Sequence, residues 1–98
     1  MSKKEIKQKM KNVRSKIDRL DNKILPLIVE RSILVNKALD LKSKRNEIVD
    51  QKRIDEILTK VEAKSKRMNA NPKLIKSIWN SMIQNFISYE RKEFNKRK

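Results

Sequence analysis

Val13, Ile17, Leu20, Ile24, Leu27, Arg31, Leu34, Ala38 and Leu41 follow one another in alternating steps of four and three. That spacing marks the face of a helix packed against another helix, and it predicts a first helix from about Lys4 to about Lys44. At about 1.5 Å per residue the helix is on the order of 60 Å long. A compact chain of 98 residues has a radius of gyration of only about 13 Å. The helix therefore needs cover from outside its own chain, and a homodimer with paired long helices is the simplest solution. Pro26 lies inside this stretch and costs about 3 kcal/mol in an unadapted helix interior. The seam keeps its register on both sides, so Pro26 reads as a kink rather than a boundary.

Ser43 to Val49 carries no strong period and holds the first connection. Asp50 is placed to cap a second helix of about Gln51 to Lys66, with Ile54, Ile57, Leu58 and Val61 on its apolar side. Asn69 to Asn71 form the second turn. Asn71 then caps a third helix with Pro72 at its first position. This helix runs to about Asn95 and buries Ile75, Ile78, Trp79, Met82, Ile83, Phe86, Ile87 and Phe94. Every period is helical, so the chain reads as all-α, three helices in a single domain over residues 1–98.

Composition narrows the chemistry. Glycine is absent and there are only two prolines, which argues against a β-rich fold built on tight turns. With neither cysteine nor histidine, there is no disulfide, no thiolate nucleophile and no usual general base near neutral pH, and the common metal ligands are missing. An enzyme built from this chain has to work with Arg, Lys, Asp, Glu and positioning. No apolar run reaches the roughly 18–20 residues of a membrane span, and the basic N-terminus is not followed by the apolar stretch of a signal peptide. A soluble cytoplasmic protein is the expectation. The net charge of +15 implies attraction for something anionic. Many of these cations, among them Lys3, Lys4, Lys7, Arg91, Lys96, Arg97 and Lys98, stand near the chain ends, where they solvate helix tips.

Polar residues intrude on the apolar faces in a few places. Arg31 lies within the seam, and Arg14 sits beside Val13. A guanidinium cannot be deprotonated, and burying it without a partner costs several kcal/mol or more, so something anionic must meet Arg31. Asp50 and Arg53, three apart at the start of helix 2, are neighbours. Glu90 falls in the series Ile83, Ile87, Glu90, Phe94, and Lys42 follows the last seam residue. Cations and two carboxylates facing a helical core make either a structural ion-pair network or a pocket for an anion.

The combination of these residues is more specific than any one of them. VRSKIDRLDNKILPLIVERSILVNKALDLK, residues 13–42, resembles helix 1 of the all-helical chorismate mutases, which carry an R-x-x-I-D-x-x-D-x-x-[IL]-x-x-L-[IL]-x-x-R pattern with a lysine eleven residues later. The matching residues are Arg14, Ile17, Asp18, Asp21, Ile24, Leu27, Ile28, Arg31 and Lys42. The V-D-x-x-R opening of helix 2 appears as Val49, Asp50 and Arg53, and IWNSMIQNFISYE resembles helix 3, with Glu90 at a Gln-or-Glu position. The resemblance implies an intertwined dimer with two identical sites. It also implies a pericyclic rearrangement of chorismate, a small dianion, to prephenate without covalent intermediate, metal or organic cofactor. In that frame Arg31 and Arg14 of the second chain would bind the two substrate carboxylates. Lys42 would contact the ether oxygen and a carboxylate, Asp50 would accept from the ring hydroxyl, and Arg53 would support the carboxylate end. Glu90, in its protonated form, would donate to the ether oxygen, so activity is expected to fall as pH rises.

The chain departs from the family pattern at several positions. Ile54 stands where the mutases usually carry Glu, Phe86 where a small polar residue is common, Pro26 inside the long helix, and the interval from Lys42 to Arg53 is one residue short. An apolar residue after the helix-2 arginine also occurs in the related isochorismate-pyruvate lyases, which form salicylate. A basic helical protein that binds nucleic acid or a partner helix would account for the charge. It would not account for an arginine in an apolar seam, and no nucleic-acid motif is present.

Overall fold

The structure, a computed structural model, describes residues 1–97; Lys98, counted among the terminal cations, lies outside them. The described residues form three α-helices, α1 (Lys3–Asp40), α2 (Gln51–Arg67) and α3 (Pro72–Arg97), with a short 3-10 turn at Arg45–Glu47. The chain is all-α, as the periods predict. It divides into two compact units, residues 1–34 and residues 35–98.

The first unit is helical from Lys3 onward. Ser2 caps it, its hydroxyl accepting from the Glu5 amide at 3.2 Å. The helix is continuous through Pro26, in keeping with a seam that does not lose register. Residues 1–30 are all exposed. Val13, Ile17, Leu20, Ile24, Leu27 and Leu34 each leave about half or more of their surface in solvent. The apolar 4-3 seam is thus an exposed face of this unit.

The second unit holds the core. Leu39 from the end of α1, Ile48 from the connection, Ile54 from α2, and Ile83, Ile87 and Phe94 from α3 form one buried cluster, with Ile57 and Leu58 packed against it. Leu39 is one residue off the seam and only 1% exposed, while its seam neighbours Ala38 and Leu41 are exposed. Side-chain cross-links bind the end of α1 to α3, among them an Arg97 guanidinium bond to Asn36 Oδ1 at 3.5 Å. The Tyr89 hydroxyl donates to Asn36 Oδ1 at 2.6 Å, and the Arg97 guanidinium pairs with Asp40.

The turn between α2 and α3 follows from its sequence despite the absence of glycine. Asn69 adopts φ 58°, the left-handed conformation that asparagine tolerates better than most residues. Its amide reaches the Lys66 carbonyl at 3.1 Å, and the Ala70 amide reaches Ser65 at 3.0 Å. These two bonds are the Schellman pair that closes a helix. Asn71 Oδ1 then accepts from the Leu74 amide at 3.1 Å, capping α3 ahead of Pro72.

Two expectations need correction. Helix α1 ends at Asp40 rather than near Lys44. The Leu41 and Lys42 amides bond the carbonyls of Ala38 and Leu39, three residues back, and the chain turns so that Ile48 can enter the core. Ile78 and Trp79 are not buried: they are 54% and 37% exposed. The core of this unit gathers on the C-terminal half of α3, where Leu39, Ile48 and Ile54 meet it. Helix α2 packs along α3, and Ile75, Met82 and Phe86 on the N-terminal side of the core are half-buried.

Candidate active site

Glu90 continues the buried stripe of α3. Ile83, Ile87, Glu90 and Phe94 are all buried, and the Glu90 side chain is 9% exposed. A carboxylate there needs a partner, and Lys42 supplies it. Lys42 Nζ lies 3.2 Å from Glu90 Oε2, across 48 positions of sequence. The Lys42 side chain is 21% exposed, so its ammonium stands at the border between the apolar core and water. An ammonium and a carboxyl group thus share one spot.

Asp50 caps α2, its Oδ1 accepting from the Arg53 amide at 3.0 Å. The two residues are neighbours, as their spacing predicts, and the bond runs through the Arg53 backbone. Both side chains are exposed, and one lone-pair-bearing oxygen of Asp50 remains for another donor. Ile54, one residue on, is 7% exposed inside the core, where a glutamate would be a buried charge.

Arg31 and Arg14 belong to the first unit. Arg31 is half-buried and Arg14 exposed. Lys42, Asp50, Arg53 and Glu90 belong to the second, and of these the structure joins Lys42 to Glu90 and Asp50 to the Arg53 backbone. Among the described residues, no group of three or more His, Cys, Asp or Glu side chains could hold a metal ion. No helix of the described residues is long and apolar enough to cross a membrane.

The connection carrying Lys42 contains a residue that periodicity does not reveal. Glu47 Oε1 accepts from the Ser43 amide at 3.2 Å, the Ser43 hydroxyl at 3.0 Å and the Lys44 amide at 2.9 Å. The Ser43 hydroxyl and the Lys44 amide, which bond best to the ionised form, hold the Glu47 carboxyl below its ordinary 4.5. Because the folded value is depressed, this contribution is complete above the ordinary carboxylate range and is lost as pH falls through the lowered value. A glutamate three residues after a helix-cap position, reaching back to the cap amide, is a recognisable start signal. Lys44 in place of Ser or Thr at the cap conceals it.

A search of curated proteins finds no match to the chain. A family model described as chorismate mutase type II matches residues 13–91. The match spans the helix-1 pattern, the connection with Lys42, the opening of α2 and α3 through Glu90. On that extent, the chain belongs to the chorismate mutase type II family.

Proposed function

We propose that this protein converts chorismate to prephenate, working as an intertwined homodimer in the cytoplasm. The family match supports the reaction class, and the Lys42–Glu90 contact at 3.2 Å is the observation that carries the reading to particular residues. The reaction is an isomerisation: one carbon–oxygen bond breaks as one carbon–carbon bond forms, and no atom is gained or lost. It requires no nucleophile, only a compact substrate conformer and positive charge where the ether oxygen becomes negative. In this reading Lys42 supplies that charge and Glu90, carrying a proton, donates to the same oxygen. Arg31 and Arg14 of a second copy take the substrate carboxylates, Asp50 accepts from the ring hydroxyl, and Arg53 supports the carboxylate end. The exposed seam of α1, with Leu74, Ile78 and Trp79 on α3, supports a second copy as the missing cover.

Purified protein supplied separately with chorismate and isochorismate tests the reading. Prephenate from chorismate is the expected product. Pyruvate and salicylate from isochorismate, with chorismate untouched, would instead assign the lyase reaction, to which the apolar Ile54 is suited. Arg31→Ala should remove turnover, by about 10³-fold or more, while sedimentation and circular dichroism still report a folded dimer. Should Arg31→Ala aggregate yet retain activity per folded molecule, the arginine is a structural bridge. Glu90→Gln keeps a permanent donor at the ether oxygen, so the decline in rate toward high pH should flatten. An unaltered pH–rate profile removes Glu90 from the donor role.

A further inference from the structure

We propose that Glu47 is a positioning residue for Lys42: by tying down the connection after α1, its carboxylate sets the backbone from which the ammonium reaches Glu90. The proposal rests on the proposed function only for its kinetic readout.

Lys42 stands outside any helix, and a lysine side chain has a flexible four-carbon stem. Its placement therefore depends on what immobilises its backbone. On the preceding side, the Leu41 and Lys42 amides bond Ala38 and Leu39 carbonyls at 3.1 Å each, and Leu39 is anchored in the core. On the following side no helix begins until Gln51 apart from the single 3-10 turn. There Glu47 gathers three donors from Ser43 and Lys44 onto one oxygen. The Glu47 amide returns to the Lys44 carbonyl at 3.1 Å, and the Ile48 amide bonds Arg45 at 3.2 Å, with Ile48 itself buried. Lys42 is thus held between two anchors, Leu39 and Ile48, and Glu47 is the brace between them. Without Glu47, Ser43 and Lys44 would turn to water, and the residue after Lys42 would be free to rotate. The brace also accounts for a connection one residue short of the family pattern that still brings Lys42 to Glu90. Glu47 is exposed and is not among the residues assigned to touch substrate, which separates positioning from catalysis.

The test uses the full chain with Glu47→Ala, Glu47→Gln, Lys42→Met and the Glu47→Ala/Lys42→Met double variant. In Glu47→Ala, amide exchange at Ser43 and Lys44 should accelerate about tenfold or more, while Leu39, Ile54 and Ile87 stay within about twofold. With chorismate, kcat should fall about tenfold and KM change less than about twofold. Glu47→Gln, which keeps one acceptor oxygen at the same reach, should recover most of the lost kcat. The shift in thermal midpoint caused by Glu47→Ala should be smaller in the Lys42→Met background than in wild type, because the two residues act through one contact. Equal shifts in both backgrounds, or an unchanged kcat despite faster exchange at Ser43 and Lys44, would overturn the proposal. If wild-type protein turns over neither substrate, the proposed function fails by itself. Exchange and the midpoint cycle then still decide whether Glu47 positions Lys42.

Discussion

In the proposed dimer, Ile24→Glu is expected to split the two copies into monomers and to abolish the proposed turnover with them. Ile24 stands mid-seam and is 51% exposed, and in the proposed dimer its partner surface comes from the second copy. In a two-fold interface each substitution occurs twice. Each copy forfeits roughly 1.5–3 kcal/mol of apolar burial and faces a further several kcal/mol for desolvating a carboxylate without a partner. Sedimentation velocity should show monomer at concentrations where wild type is dimeric. Helical content should also fall, because an amphipathic helix without tertiary cover is marginal in water, while the core around Leu39, Ile48 and Phe94 still unfolds cooperatively. Lys23→Glu, with a charge change of at least the same size on the same helix but off the seam, should leave the dimer intact. An active Ile24→Glu dimer would show that α1 is covered in some other way.

In its proposed role, Lys42→Met should lower kcat/KM about 10²–10³-fold, the cost of removing a preorganised group aimed at developing charge. Methionine keeps much of the stem's packing and removes only the ammonium. Two effects then have to be separated. Breaking the pair leaves Glu90, 9% exposed at its side chain, as a carboxylate without its cation, and losing one partner of a buried pair typically costs about 3–5 kcal/mol. The border position of Lys42, 21% exposed, puts this pair at or below the lower end of that range. Lys42→Met/Glu90→Gln removes both charges and should regain much of the thermal midpoint without regaining activity. Recovery of activity together with stability would mean that the pair matters only for folding.

Where a helix has a stripe and a cap, its sequence alone places it well. The interval from Asp50 to Arg67 and that from Pro72 to Arg97 are bounded by residues whose chemistry acts locally. Asp50 and Asn71 cap through bonds to amides three residues on, and Asn69 accepts a left-handed backbone. The burial of Glu90 was equally legible, because its stripe partners Ile83, Ile87 and Phe94 lie at helical spacing and the same period carries the glutamate inward. The end of α1 was not legible. The 4-3 period runs through Leu41, but the period reports a face that is exposed in this chain, and it says nothing of where the backbone must turn to bury Ile48. Trp79 shows the same difficulty: large aromatic character at helical spacing suggests a core, yet burial depends on which elements are opposite.

The all-helical class, the caps and turn of α2 and α3, and the inward face of Glu90 are all written in the local order of residues, since each rests on interactions between residues a few positions apart. Long-range packing alone sets Lys42 against Glu90 and brings Leu39 rather than its seam neighbours into the core, and the turn of the connection folds Glu47 back onto Ser43 and Lys44. Those outcomes join residues through space across long intervals of chain, or hang on one carboxylate oxygen gathering three donors, and no periodic pattern encodes either.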